Sequence, residues 1–392
     1  MSPFDDLVVV SLEQAVAAPF ATRQLADLGA RVIKIERPGT GDFARAYDTT
    51  VKGLSSYFVW LNRSKESLTL DLKQPGAPEI LDRLLARADV FVQNVGPGAA
   101  GRLGTDPTDL HARCPKLIVC SVSGYGSSGP YADRKAYDLL VQSEVGLLSL
   151  TGTDAEPAKV GISVADIAAG MYAYSGVLAA LYARGVHGRG AVIEVSLFDA
   201  LAEWMSAPAA YTAYGGSAPP RTGAHHASIA PYGPVTTGDG GAVFVAIQNS
   251  REWTRFCADV LRQPDLATDD RFATNPLRVT NREALAAVIA TVAGGLTTVH
   301  LIARLDAAQI AYARMNSMAD FLDHPQLSAR DRWREVDSPN GPLRALVPPV
   351  SIDDAPPRMG AVPALGEHTD AILRELGFGA AAIAAWHAEG TI

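Results

Sequence analysis

A doubly wound α/β fold is predicted by three observations. Apolar runs alternate with helical patterns through residues 1–130, the runs are continuous enough to be buried parallel strands, and Gly29 stands where the first helix must end. In order, residues 7–10 read as a strand, 17–28 as a helix and 32–35 as a second strand. A helix at 77–88, a strand at 90–93, a helix around 107–113 and a strand at 117–121 follow. Further on, a long Ala- and Tyr-rich helix is expected over 167–184, with a turn at 185–190, a strand at 191–195 and a helix from about Leu197.

Beyond residue 205 the composition shifts to Ala, Gly, Pro, Tyr and His, which reads as a linker or site loop without regular structure. The chain divides accordingly into residues 1–205, a linker at 206–230, a smaller unit at 231–325 and a return through 326–392. The smaller unit carries a strand signal at 243–247 and helical patterns near 251–261, 282–293 and 298–307. A second Pro-rich crossing at 338–363 leads to a short helix at 369–376.

The 392 residues are 48% hydrophobic, so the chain can bury a large core, and its formal net charge of −8 argues against a general nucleic-acid binder. Three scattered cysteines, Cys114, Cys120 and Cys257, suit neither a disulfide framework nor a zinc site. The acidic N-terminus lacks the basic and apolar regions of a signal peptide, and no run reads as long enough for a membrane span. The expectation is a cytoplasmic protein with no metal, no nucleic-acid partner and no membrane partner.

Asp166 is the residue that most needs explaining, because it is a lone carboxylate inside the apolar stretch Val160-Gly161-Ile162-Ser163-Val164-Ala165-Asp166-Ile167-Ala168-Ala169-Gly170. Placed just before a helical pattern it reads as an N-cap, and a carboxylate held at a helix start is also compatible with nucleophilic chemistry. Glu36, at the end of the second strand, invites a ribose contact. Yet Ser11-Leu12-Glu13-Gln14-Ala15-Val16-Ala17-Ala18 lacks the glycines of a dinucleotide fingerprint, and neither a Walker loop nor a Gly-x-Ser-x-Gly elbow is present. Arg37, Arg45, Arg63, Lys65 and Arg102 gather near strand ends, where together they would suit a nucleotide with several phosphates. His225 and His226 lie in an irregular loop, better placed for substrate recognition than for a metal.

Several longer segments carry a further signal when taken together and in order. They are Ala26-Asp27-Leu28-Gly29-Ala30-Arg31-Val32-Ile33-Lys34-Ile35-Glu36-Arg37-Pro38 with Gly41-Asp42, Asn62-Arg63-Ser64-Lys65 with Leu70-Asp71-Leu72, Asn94-Val95-Gly96-Pro97-Gly98, Ser123-Gly124-Tyr125-Gly126, Ala136-Tyr137-Asp138, Asp166, and Gly188-Arg189-Gly190 through Leu197-Phe198-Asp199-Ala200. In this order they resemble the class III CoA-transferases, and the resemblance spans nearly the whole chain. It implies a large Rossmann-like domain built from both chain ends, a smaller α/β domain and an interlocked homodimer. It places the CoA site on Gln14, Ala18, Arg37, Asn94 and Arg102, with Lys135 and Tyr137 near the thioester, and the family's catalytic aspartate on Asp166. Coenzyme A is then a co-substrate, brought in as acyl-CoA, and a carboxylic acid is the acceptor.

The family also contains α-methylacyl-CoA racemases, which carry a His-Asp pair where this chain has Tyr137-Asp138 and a Glu where it has Gln248. Neither Tyr137 nor Gln248 replaces the acid and base that racemisation needs near neutral pH, so transfer is the expected activity. A non-catalytic acyl-CoA-binding protein is the other alternative, disfavoured because such a protein has no need of Asp166. The His225-His226 loop resembles those of transferases acting on dicarboxylic acids, with Arg221, His225 or His226 pairing the distal carboxylate. Backbone N–H groups at the start of the Asp166 helix, or in a nearby loop, are the expected donors to developing oxyanions.

Overall fold

The computed structural model describes residues 2–392. Residues up to Val145, Val160–Met205 and Gln326–Ile392 form one compact unit, and Gly146–Lys159 with Ser206–Pro325 form another. The first opens with β1 (Val8–Leu12), α1 (Ala17–Asp27), β2 (Arg31–Glu36), α2 (Ser56–Asn62), β3 (Lys65–Thr69), α3 (Ala77–Leu85) and β4 (Val90–Gln93). Then come α4 (Ala99–Arg102), α5 (Pro107–Arg113), β5 (Ile118–Ser123), α6 (Asp138–Glu144), α7 (Val164–His187), β6 (Val192–Ser196) and α8 (Leu197–Trp204).

Six parallel strands pair in the order β3-β2-β1-β4-β5-β6. The order reverses between β1 and β4, so the crevice at the carboxyl ends of those two strands is the topological switch point at which open α/β sheets bind ligands. Strands β1 and β4 are apolar through their centres because helices cover both faces: Val9, Val10, Val90 and Phe91 are fully buried. Strand β3 is absent from the sequence expectation because Lys65 and Glu66 interrupt its apolar pattern; the burial of Lys65 beside Glu13 is what allows it into the sheet.

The second unit begins with α9 (Ser206–Gly215), which corrects the reading of that segment as irregular. None of its residues is buried, so it forms on Ala-rich local propensity without the apolar stripe that marks a packed helix. An antiparallel sheet of β7 (Tyr232–Thr236), β8 (Ala242–Ala246) and β9 (Ala311–Arg314), in that order, packs on helices α10 (Ser250–Arg255), α11 (Asn275–Thr280), α12 (Arg282–Gly294) and α13 (Thr298–Ala307). The helix expected at 251–261 ends early, passing at Phe256 into one turn of π-helix. Two short helices, α14 (Met318–Leu322) and α15 (Pro325–Ala329), complete this stretch.

On the return, β10 (Trp333–Val336) and β11 (Leu343–Leu346) form a hairpin, and α16 (Thr369–Glu375) and α17 (Ala380–Glu389) follow. Ile372, Leu373, Leu376, Phe378 and Ile383 from this end share one core with Ile33, Leu68, Ile80 and Phe91 from the start of the chain. Each such side chain contributes roughly 1.5–3 kcal/mol on burial, so the first unit is held closed by both ends of the polypeptide.

Helix α7 corrects a second expectation. Its 24 residues are long and apolar enough to cross a membrane by composition alone, with a mean hydropathy of 1.4. In the structure it packs against α1, α8, β5 and β6. Gly170 makes the closest of these approaches possible, since a Cβ there would lie 2.6 Å from the Ala17 carbonyl oxygen.

Candidate active site

A helix joining two parallel strands starts at the carboxyl edge of the sheet and ends at the amino edge. Helix α7 leads from the β5 side into β6, so its first turn, bearing Asp166, lies at the same edge as the switch point. Asp166 precedes Gly170 by one turn, and side chains so spaced share a helix face. That face is pressed against the start of α1 at Ala17.

The switch point is built by reciprocal hydrogen bonds. Gln14 N–H donates to Asn94 Oδ1 at 2.8 Å, and Asn94 Nδ2 donates to the Gln14 carbonyl at 2.8 Å. These bonds tie the turn after β1 to the turn after β4 and leave the Gln14 side chain exposed. Beside Gln14, Ala15 adopts a left-handed backbone (φ 62°), a conformation that costs a non-glycine residue about 1 kcal/mol or more. Its N–H donates to Asp42 Oδ1 at 3.1 Å, which holds the turn in place.

Asp42 is anchored in turn by a buried charge network. Lys34 Nζ lies 2.7 Å from Asp42 Oδ2 and 3.6 Å from Glu13 Oε1, while Lys65 Nζ lies 2.7 Å from Glu13 Oε1. Burial alone would neutralise Lys34, but Asp42, Glu13 and Glu36 hold its ammonium above the usual range. Burial dominates at Lys65 and brings it down to about 8 despite Glu13. Glu36 accepts two hydrogen bonds from the Arg45 guanidinium and one from Ser67; against burial, these and Lys34 hold it at about 2.

This network overturns part of the reading of the basic residues. Arg45 is committed to Glu36, Arg63 makes two bonds to Asp27, and Lys65 is committed to Glu13, so these three stabilise the fold in place of a polyphosphate. Glu36 is likewise buried by its partners and unavailable to a ribose. Salt-bridge partners 36 and 52 residues away leave no signature in local sequence. Arg37 remains exposed just past β2, and Arg102 is exposed at the end of α4, its Nη1 folded back toward Gly98. Ala18 is fully buried in the first turn of α1, so it shapes the turn and presents no side-chain surface. Lys135 and Tyr137 are exposed in the loop between β5 and α6.

Asp166 is not the cap of its helix. Helix α7 begins earlier than expected, at Val164, which puts Asp166 in the third helical position. The capping carboxylate is Asp138 at the start of α6: its Oδ1 accepts from Ala165 N–H at 2.8 Å and Asp166 N–H at 3.3 Å. The Val164 and Ile167 N–H groups donate to the carbonyls of Ile162 and Ser163. The start of the helix therefore offers no unoccupied N–H for an oxyanion, which removes the first of the two donor sources expected from the sequence and leaves a nearby loop.

Among the described residues nothing donates a hydrogen bond to the half-buried Asp166 carboxylate. Its burial, followed by the charge of Asp138, pushes its pKa up to about 7. Tyr47, half-exposed in the loop after β2, belongs to the same locality and was missed by sequence reasoning. Burial, then the charges of Asp42 and Asp166, raise its hydroxyl to about 12. It also begins an edge-to-face aromatic series through Tyr57 and Trp60 to Phe20.

In the second unit, Arg221 Nε and Nη2 donate to the carbonyls of Thr153 and Asp154 at 2.7 and 3.0 Å, so its fork is engaged by backbone. His226 stacks on Tyr232, and Arg282 Nη2 donates to the His226 carbonyl at 2.7 Å. Burial and the Arg282 charge lower the His225 pKa, which keeps the ring neutral at pH 7. Gln248 lies two residues past the end of β8, and its N–H donates to Glu252 Oε2 at 2.7 Å. Among the described residues, no group of three or more His, Cys, Asp or Glu is placed to hold a metal ion.

A Rossmann-ordered sheet with its switch point pinned by Gln14 and Asn94, and a carboxylate of raised pKa at the same edge, mark that edge of an α/β fold as the candidate active site. The sequence profile of CoA-transferase family III matches residues 4–369. The chain is 33% identical over 384 residues to the succinyl-CoA:glutarate CoA-transferase of Mus musculus, covering 96% of this chain and 87% of that protein. It is 36% identical to the acetyl-CoA:oxalate CoA-transferase of Acetobacter aceti, covering 95% of each. A crystal structure of a CAIB/BAIF family protein from Brucella suis superposes with a TM-score of 0.83 at 35% identity, over 96% of this chain and 99% of that one. The chain belongs to CoA-transferase family III and is an enzyme that transfers CoA.

Proposed function

We propose that this enzyme moves CoA from succinyl-CoA, or a similar dicarboxylyl-CoA, to a carboxylic acid acceptor through covalent intermediates on Asp166. The observation that carries the reading is the state of Asp166: half-buried, without a hydrogen-bond donor, its pKa raised, and at the sheet edge where Gln14 and Asn94 form the switch point. A carboxylate so little solvated is a stronger nucleophile than one in water.

In this scheme an Asp166 oxygen attacks the thioester carbonyl, the C–S bond breaks, and a mixed anhydride and CoA thiolate result. The thiolate attacks the Asp166 carbonyl carbon of the anhydride, giving an aspartyl-CoA thioester and releasing the donor carboxylate. An acceptor carboxylate attacks that thioester, again expelling the thiolate, which then takes the acceptor acyl group and frees Asp166. No water enters and no ATP is spent, because the thioester energy is retained throughout. With the α7 N–H groups committed, donors to the developing oxyanions come from a neighbouring loop or a side chain such as that of Gln14.

Gln14, Arg37, Asn94 and Arg102 bind the CoA moiety, with Lys135 and Tyr137 toward the thioester and Ala18 shaping the adjoining turn. His225 and His226 read the distal carboxylate, whereas Arg221, expected from the sequence to share that task, holds the Thr153 and Asp154 carbonyls with its fork. Relatives named for succinyl-CoA:glutarate and succinyl-CoA:D-citramalate transfer support the dicarboxylate class. An interlocked homodimer in the cytoplasm completes the proposal, and exposed apolar residues such as Tyr182, Val186 and Tyr214 suit a covered surface. Initial rates with succinyl-CoA against acetate, formate, glutarate and citramalate test the substrate class. Dicarboxylates should lead by at least about tenfold in kcat/KM, and a preference for acetate or formate would refute that class.

A further inference from the structure

The scheme above assigns no task to Asp138, although Asp138 reaches from α6 to the helix that carries the nucleophile. Ser163, at the N-cap of α7, has a hydroxyl of the kind that commonly caps helices, yet it makes no capping bond. The donors are taken instead by Asp138 Oδ1, from Ala165 N–H at 2.8 Å and Asp166 N–H at 3.3 Å. The carboxylate is braced from behind. Gln142, fully buried one turn along α6, donates from Nε2 to Asp138 Oδ2 at 2.6 Å and accepts from Val160 N–H at 3.1 Å through Oε1.

The arrangement is a bracket in which two residues of α6 grip the strand of chain entering α7 at Val160 and its first turn at Ala165 and Asp166. A serine hydroxyl could satisfy one of these N–H groups without bringing a second negative charge toward Asp166. The carboxylate brings that charge, and like charges at close range oppose each other. Stability alone does not call for an acid here.

We propose that Asp138, braced by Gln142, is the positioning residue for Asp166: it fixes the turn that aims the nucleophile and closes that helix end to substrate oxyanions. The inference rests on the reading of Asp166 as the nucleophile. Asp138 also acts on Asp166 through its charge, while burial, Asp42, Asp166 and Tyr137 keep the neighbouring Tyr47 hydroxyl protonated. Asp138 thereby favours the neutral form of Asp166 in the free enzyme.

Three variants separate position from charge. Asp138→Asn keeps an oxygen acceptor for the cap and loses the charge, although its amide nitrogen now meets the Gln142 Nε2 donor. Asp138→Ala loses both, and Gln142→Leu loosens the brace while leaving Asp138 charged. For each, kcat, KM for acyl-CoA, the pH profile of kcat/KM and the melting temperature are measured on the full-length enzyme. In Asp138→Asn the acid limb should move down by about one pH unit, with kcat falling less than in Asp138→Ala because the cap on Ala165 and Asp166 is kept. In Asp138→Ala and Gln142→Leu, kcat should fall by about tenfold or more while KM changes by less than about threefold, because a misaimed nucleophile costs turnover more than binding. Wild-type kcat in Asp138→Ala and Gln142→Leu, or an unmoved acid limb in Asp138→Asn, would overturn the inference. Should Asp138→Ala fail to fold, the other two variants still decide it. Hydroxylamine trapping on wild-type Asp166 keeps the two readings apart. Absence of trapping sinks the nucleophile assignment, whereas trapping with unaffected variants sinks only the role of Asp138.

Discussion

Asp138 Oδ1 stands 2.8 Å from the N–H of Ala165 and 3.3 Å from that of Asp166, so one carboxylate caps the helix on which the other is mounted. The cap orients Asp166, while burial and the neighbouring charge both oppose its ionisation. Catalysis and stability should therefore depend on pH in opposite senses.

The first consequence is kinetic. Only the ionised Asp166 can attack a thioester, and its pKa in the free enzyme is about 7. A profile of kcat/KM from pH 5 to 9 should rise through an acid limb near 7 and then level. A limb near 4, where an ordinary aspartate titrates, would show that the site does not hold Asp166 in the protonated form.

Stability should run the other way. Because the folded-state pKa is raised above the unfolded value, the native state binds more protons than the unfolded state between about pH 4 and 7. Stability from this residue is fully present below about pH 4 and is lost as pH rises through 7. Asp166→Asn should gain about 2 kcal/mol over wild type at pH 8, the full shift being reduced because the group retains some solvent contact. The difference should shrink toward zero near pH 4, as checked by urea melts at both values. Equal stability at pH 8 would mean that Asp166 is not strained in the folded state.

Lys34→Met removes the only cation within salt-bridge distance of Asp42 among the described residues, leaving a buried carboxylate unpaired. We expect a loss of about 3–5 kcal/mol in denaturant melts, together with weaker acyl-CoA binding because Asp42 holds Ala15 beside Gln14. A loss below about 1 kcal/mol would show that the network is dispensable.

Gly170→Ala places a methyl group where the Ala17 carbonyl oxygen would be 2.6 Å away. Helix α7 must then move off α1, at a cost of about 1–3 kcal/mol, and Asp166 moves with it. Turnover should drop with stability in this variant. Full activity in a destabilised Gly170→Ala would mean that the α1–α7 approach does not govern the site.

Much of the parallel domain is legible in the sequence because β1, β2, β4 and β5 are buried on both faces and appear as apolar runs bounded by turn residues. Strand β3 is not, since Lys65 enters the core only by pairing with Glu13, which lies 52 residues away. Helix α9 escapes notice because it buries nothing and so carries no periodic stripe. Asp166 attracts attention as a carboxylate among apolar residues, but its true helical position depends on where α7 starts. That start is set by Asp138, 28 residues earlier, and a tertiary cap leaves no local motif. For the same reason Arg63 and Lys65, whose partners lie 36 and 52 residues away, read as phosphate ligands in the sequence and are ion pairs in the fold.

The central claim is that Asp166 becomes covalently acylated during transfer. Its most direct test is peptide mass spectrometry of the enzyme incubated with succinyl-CoA and quenched with hydroxylamine. A hydroxamate should appear, confined to the peptide containing Asp166 and absent from Asp166→Asn. An unmodified Asp166 peptide across a panel of acyl-CoA donors, accompanied by solvent deuterium entering the acyl α-carbon, would contradict it and point to racemisation.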